Sequence, residues 1–232
     1  MIGFSTGSLY KTNISFNERI KLYSQYCNAI ELSFPNNDEF SRFDVSQLPQ
    51  EIKKFGYISI HAPWQMEYKN NLQTKKLIDK LRKISENIPV HGIVIHPDKI
   101  KNFRILENSQ LPFLMENMDK RKENFKTPEE FERLKRDYNF GFVLDIKHSY
   151  EYSPSTVKTL EFLEVMGDRL NEMHISGSSE EDTHILANNA NNREYVSSAL
   201  KLTPNIPKIL EGILSKNPEN EIKREVVYIK KA

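Results

Sequence analysis

Six short apolar runs of this chain each end in a side chain able to hold a metal ion. Tyr57–Ile60 is followed by His61, Gly92–Ile95 by His96, Phe113–Met115 by Glu116, Gly141–Leu144 by Asp145, Asn171–Met173 by His174, and Lys208–Leu210 by Glu211. Five of the six histidines (His61, His96, His148, His174 and His184) fall at these ends or just past them, and only His91 lies outside the pattern. One such histidine alone reads as a hydrogen-bonded core or loop residue, and one such carboxylate as a helix cap. Three carboxylates and several imidazoles gathered at one place cost far more than isolated polar burial unless a cation compensates them. Imidazole and carboxylate without thiolate suit zinc, and also manganese or iron. Cys27 is the only cysteine, so a thiolate cluster and an internal disulfide are both excluded, and Cys27 itself reads as a small buried apolar residue. Two local spacings extend the set: Asp145-Ile-Lys-His148 places an imidazole one turn past a strand end, and Asp182-Thr-His184 offers two more donors.

For these ends to converge, the runs must be parallel strands of one sheet. With Ile2–Thr6 and Ala29–Phe34 there are eight, each short enough for a buried strand. Amphipathic stretches separate them: Asn17–Tyr26, Leu72–Ile88, Thr156–Met166 and Glu219–Ile229 repeat apolar residues at helical spacing. Strand and helix alternating eight times predict a parallel sheet with helical crossovers, closed as one (β/α)8 TIM barrel over residues 1–232. An open doubly wound sheet is the rival, but no Gly-rich phosphate loop follows the first strand. In a barrel the C-terminal strand ends meet at one mouth, which is where the metal-capable residues stand. The charged segment Asp119–Asn139 is longer than a minimal connection and predicts a small helix at Pro128–Asp137, with a flap over the mouth as its role.

Charge argues about partners. Lys+Arg 33 against Asp+Glu 32 leaves a formal +1, with none of the basic excess usual in proteins whose main work is gripping nucleic acid. The N-terminus lacks a signal-peptide pattern, and no run approaches the roughly 18 apolar residues of a membrane span. The expectation is a cytoplasmic protein with no membrane contact and no evident protein partner.

The residue set resembles the endonuclease IV / xylose-isomerase-like superfamily, which includes the AP endonuclease 2 group, from the second strand to the eighth. The resemblance implies a barrel-mouth centre of up to three divalent ions, zinc first and manganese second. It puts one ion on His61 and His96 with Glu116 bridging, a second on Glu116, Asp145, His174 and Glu211, and a third on His148, Asp182 and His184. It also implies a hydrolase in which activated water attacks a phosphodiester, cleaving DNA on the 5′ side of an abasic nucleotide. Sugar isomerases and epimerases of the same barrel usually keep only the ion of the Glu, Asp, His, Glu set. In that alternative Glu116 and Glu211 are the acid–base pair acting on a sugar or sugar phosphate.

The loops bear on that choice. Endonuclease IV carries Arg and Tyr on loops that enter the duplex, whereas Pro35–Arg42 here offers only Arg42. After the third strand, His61-Ala-Pro-Trp64 keeps the family's His-x-Pro-aromatic form, with Trp64 able to stack on a substrate or to lie as a lid. The stretch from Glu116 to Lys122 resembles sugar-isomerase-like members of the group, and Lys120, Arg121 and Lys122 are candidates for binding substrate phosphate against the ordinary reading of a solvated charged loop. Glu31, near the end of the second strand, is a candidate to hydrogen-bond a ligand histidine from behind.

Overall fold

The structure, a computed structural model, describes residues 1–179, 183–203 and 205–232. The elements run β1 (Ile2–Ser5), α1 (Phe16–Tyr23), β2 (Ala29–Ser33), α2 (Asn37–Arg42), β3 (Tyr57–His61), α3 (Leu72–Asn87), β4 (Gly92–Ile95), α4 (Phe103–Glu107), β5 (Phe113–Glu116), α5 (Pro128–Asp137) and β6 (Gly141–Asp145). There follow α6 (Ile146–Tyr152), α7 (Thr156–Met166), β7 (Leu170–Ile175), β8 (Gly177–Ser178), β9 (Thr183–Ile185), α8 (Arg193–Leu202), β10 (Lys208–Leu210) and α9 (Glu219–Lys231). Eight strands pair in parallel and close in the order β1-β10-β7-β6-β5-β4-β3-β2, so the chain is a TIM barrel, while β8 and β9 form a small antiparallel ribbon above it.

Helix starts follow local chemistry. Ser15 and Glu18 form a capping box for α1, Asn71 caps α3 by accepting from the Thr74 N–H at 2.9 Å, and α5 opens on Pro128 with Glu130 accepting from the Thr127 N–H at 3.1 Å. Helix α1 stops at Tyr23, short of Tyr26, because the chain tightens into a turn whose Tyr26 and Cys27 N–H groups bond the Tyr23 carbonyl. Cys27 is half-buried rather than fully enclosed, and burial pushes its thiol up to about 12. The expected flap is a regular element: Phe131 and Leu134 of α5 are buried, with the Phe131 ring 5.7 Å from that of Phe162 on α7, so the helix belongs to the outer ring. Among the described residues no helix is long and apolar enough to cross a membrane.

Alternation along the strands sorts the side chains. Phe4, Ile30, Leu32, Ile58, Ile60, Ile93, Ile95, Phe142, Leu144, Met173 and Ile175 join the large core between sheet and helices. The intervening positions point into the barrel, where Ala29, Tyr57 and Ile209 form one small apolar cluster and Val94, Leu114 and Val143 another. Space there is tight: a Cβ on Gly3 would lie 2.1 Å from the Ala29 carbonyl oxygen, and one on Gly92 would lie 2.4 Å from Leu114 Cδ1. Above these apolar residues the same inward positions carry Glu31, Ser59, His61, Glu116, Asp145, Glu172 and His174, all buried.

Candidate metal centre

Glu116, the last residue of β5, is the hub of the mouth. Its Oε2 stands 3.4 Å from His61 Nε2 and 3.2 Å from His96 Nε2, and its Oε1 stands 3.1 Å from His174 Nδ1. His61 Nδ1 lies 3.0 Å from the Ala62 carbonyl, which must accept, so in the neutral ring Nε2 is the lone-pair nitrogen and faces the carboxylate. Glu116 Oε2 and Asp145 Oδ2 are buried without a hydrogen-bond partner. Electron-pair donors converging on one another in this way fit a cation placed between them. Three ligand sets result among the described residues, each with one atom per residue and all atoms within 4.8 Å: His61, His96 and Glu116; Glu116, Asp145, His174 and Glu211; and, fully buried behind these, Glu31, Glu172 and His174. Glu116 is common to the first two.

Behind the second set, His174 is gripped from below. Its Nε2 lies 3.0 Å from Glu172 Oε1 and 3.2 Å from Glu31 Oε2, and none of the three side chains is exposed. An Nε2–H shared by two carboxylates leaves Nδ1 as the donor nitrogen toward the mouth, where Glu211 Oε1 is 3.4 Å away. Asp145 is held through its backbone: the Asn117 side chain accepts from its N–H at 2.7 Å and donates to its carbonyl at 2.9 Å. Its carboxylate also caps α6, accepting from the His148 N–H at 2.8 Å.

The remaining sequence candidates are placed as follows. His148 Nδ1 lies 2.8 Å from the Asn117 carbonyl, so it donates there, and Nε2 is its lone-pair nitrogen. His184, on β9, has φ +60°, a conformation unusual for a residue other than glycine. Its Nδ1 faces Ser176 Oγ at 3.3 Å and Glu211 Oε2 at 3.6 Å, while its Nε2 faces Lys147 Nζ at 3.4 Å. Asp182 lies outside the described residues. A cavity of about 600 Å³ opens over the centre, lined by His61, His96, Glu116, His148, His184 and Glu211 and rimmed by Trp64, Arg121 and Lys122. The Trp64 ring meets His61 edge-on at 5.2 Å and lies nearly parallel to His96 at 6.4 Å. Arg121 is tethered to Asp119 at 2.7 Å and Lys122 to Asp98 at 3.3 Å, whereas Lys120 is exposed and does not line the cavity.

Burial and the crowding of carboxylates against imidazoles set the protonation. Burial raises the Glu116 carboxyl, but His174, with His61 and His96, outweighs it and holds Glu116 well below its ordinary value. Burial lowers the His61 imidazole, yet the Glu116 and Glu31 carboxylates bring it up to about 9. His174 is likewise opposed by burial and carried well above its usual value by Glu211, Glu116 and Glu31. Burial pushes Glu211 up to about 8, raises Glu172, and lowers His96. Burial, with the Lys147 charge, lowers His184 to about 3.

Comparison of the sequence with family models and with curated proteins returns no match. Solved structures do match in shape. A 3-keto-D-glucoside 4-epimerase from E. coli superposes with TM-score 0.71 at 11% identity, covering 100% of this chain and 99% of that one. Endonuclease IV from Thermus thermophilus superposes with TM-score 0.69 at 16% identity, covering 100% and 99%. An AP endonuclease of family 2 from Brucella melitensis gives 0.64 at 13% identity, covering 94% and 95%. The chain shares the TIM barrel fold of these structures. Within that fold, sequence reasoning passed over Glu172, Asn117 and Lys147. Glu172 had a signal: two residues before His174 on a strand, it must share the histidine's face. Asn117 and Lys147 act from loop and helix positions that no strand period reports.

Proposed function

We propose that the chain is a metal-dependent hydrolase of the endonuclease IV type that cleaves a phosphodiester, with abasic DNA as the substrate carried over from the resemblance. The sharing of Glu116 between two ligand sets carries this reading. His61, His96 and Glu116 would hold one ion, and Glu116, Asp145, His174 and Glu211 the other. When bound, such a pair supplies water of lowered pKa and screens phosphate charge.

The chain's own residues do the rest. The Arg121 guanidinium, anchored through Nε to Asp119 and largely exposed beyond it, offers its outer N–H groups to a phosphate at the rim. His148 presents Nε2 to the cavity as an acceptor for a proton or hydrogen bond, fixed by its Nδ1–H on the Asn117 carbonyl. The Trp64 face walls one side and suits a sugar or base ring. A zinc-loaded sample should nick a duplex carrying a single abasic site on its 5′ side, and Glu116→Gln should abolish the nick. Neither nicking nor retention of that duplex at low salt would defeat the reading.

A second reading, a sugar or sugar-phosphate isomerase or epimerase with Glu116 and Glu211 as acid–base pair, is favoured by the shape of the mouth. The segment where endonuclease IV carries its duplex-entering loop folds here as α2, whose first turn bears Asp38 and Glu39. The cavity, at about 600 Å³, has the size of a small-molecule pocket. Exchange of a carbon-bound sugar hydrogen for solvent deuterium, followed by NMR across ketoses and their phosphates, separates this activity from phosphodiester cleavage.

A further inference from the structure

Among the described residues, Lys147 is a buried charge that the two-ion mouth does not use. Lys147 stands in the first turn of α6 between Asp145 and His148, and its side chain is wholly enclosed. Its ammonium lies 2.9 Å from Glu151 Oε1, one turn along the helix, and 3.4 Å from His184 Nε2. An enclosed ammonium has to be paired, and both partners here are fixed by the fold: Glu151 by α6, His184 by the β8–β9 ribbon.

Lone-pair accounting then decides what His184 can do. An ammonium has donors and no lone pair, so the nitrogen facing it must be unprotonated. The proton of neutral His184 therefore sits on Nδ1, which donates to Ser176 Oγ at 3.3 Å and faces Glu211 Oε2 at 3.6 Å. A neutral imidazole has a single lone pair, and in this arrangement Lys147 takes it. His148 is committed in a parallel way, with Nδ1–H on the Asn117 carbonyl and Nε2 toward the cavity.

We infer that Lys147 is a built-in cation standing in for a third metal ion: it occupies the lone pair of His184, keeps that histidine off any ion, and turns its Nδ1–H toward Glu211. Glu151, Lys147, His184 and Glu211 form one line from α6 to the end of β10, in which Lys147 and His184 are positioning residues for Glu211. The third ligand set implied by the resemblance then loses His184.

The inference rests on the two-ion reading of the mouth, and the two fail separately. Zinc per chain is counted by elemental analysis after dialysis of wild type and His184→Ala, a substitution at a partly exposed side chain. Equal counts, of no more than two, are expected. A wild-type count of three, or a His184→Ala count one lower than wild type, overturns the inference, whereas no zinc in wild type defeats the metal-centre reading. Imidazole 15N NMR supplies the readout that needs no activity. His184 should show the Nδ1–H tautomer without zinc and keep its shifts when zinc is added, and a zinc-induced change at its Nε2 overturns the inference. In Lys147→Met the single tautomer should be lost. A spectrum unchanged from wild type would show that Lys147 does not set it, and if that variant fails to fold the wild-type and His184→Ala measurements still decide.

Discussion

Zinc uptake should be steeply linked to pH, because the ion-free mouth already carries protons where the ions would sit. His61 is brought up to about 9 by Glu116 and Glu31 against the pull of burial, and burial pushes Glu211 up to about 8. Glu211, Glu116 and Glu31 carry His174 well above its ordinary value despite its burial. At pH 7 all three groups hold their protons, and each must release one to become a ligand. Binding therefore releases about three protons per chain at pH 7. The sign follows from the raised values: each group is held protonated below its raised value, so affinity grows as pH rises above 7 and falls as pH drops. With about three protons displaced, the apparent association constant for the pair drops about a thousandfold between pH 7 and pH 6, or about 4 kcal/mol.

Isothermal titration of zinc at pH 7, in buffers of different ionisation enthalpy, reads the proton number directly as the slope of apparent against buffer enthalpy. His61→Ala should lower that number by about one, since it removes a group that is protonated at this pH. A slope corresponding to fewer than one proton in wild type would refute the reasoning. The mouth would then not hold its protons at neutral pH, and the crowding of Glu116, His61, His174 and Glu211 could not be the cause assigned to it.

Three further outcomes follow from single contacts. Glu172→Gln keeps a hydrogen-bond acceptor for His174 Nε2, 3.0 Å away, but removes the charge behind it, so zinc affinity in a chelator competition should fall about 10–100-fold, and an unchanged affinity would remove Glu172 from the metal's support. Asn117→Ala strips both backbone hydrogen bonds from buried Asp145 and should cost about 3 kcal/mol in urea unfolding, with a loss below about 1 kcal/mol counting against the clamp. Gly3→Ala drives a Cβ to 2.1 Å from a backbone oxygen at the barrel floor and should lower stability by about 1–3 kcal/mol in thermal unfolding, whereas no change would show that the β1–β2 pair can spread.

How much of this could be read in the residues depends on the kind of signal each left. The barrel strands were legible because short buried runs break against polar stretches, and the bounds of β4, β10, α5 and α7 coincide with the expected ones. Helix α5 was marked by Pro128 with Glu130 behind Thr127, and α7 by Ser155 before an apolar repeat. Helix α6 left no such mark, because its cap is Asp145, a residue already accounted for as a strand end. Helix α8 does carry Val196, Ala199 and Leu200 at helical spacing, but it follows Asn188–Asn192, which reads as a loop. The β8–β9 ribbon is too short to leave a period, yet it is what returns His184 to the mouth.

Lys147 shows the same limit at the level of one atom. In Asp145-Ile-Lys-His148 a lysine between two metal-capable residues reads as a solvated charge, since long cations seldom stay inside. Only the turn of α6 and the strained backbone of His184 bring an ammonium against an imidazole nitrogen. Residue types could suggest that nine donors share a mouth. Whether each keeps a lone pair for an ion depends on where its other nitrogen or oxygen is already bonded, and that is a property of the fold: Ala62 frees Nε2 of His61, Glu172 frees Nδ1 of His174, and Lys147 takes Nε2 of His184. A ligand set counted from sequence is thus an upper bound, reduced by every donor whose lone pair the protein itself has used.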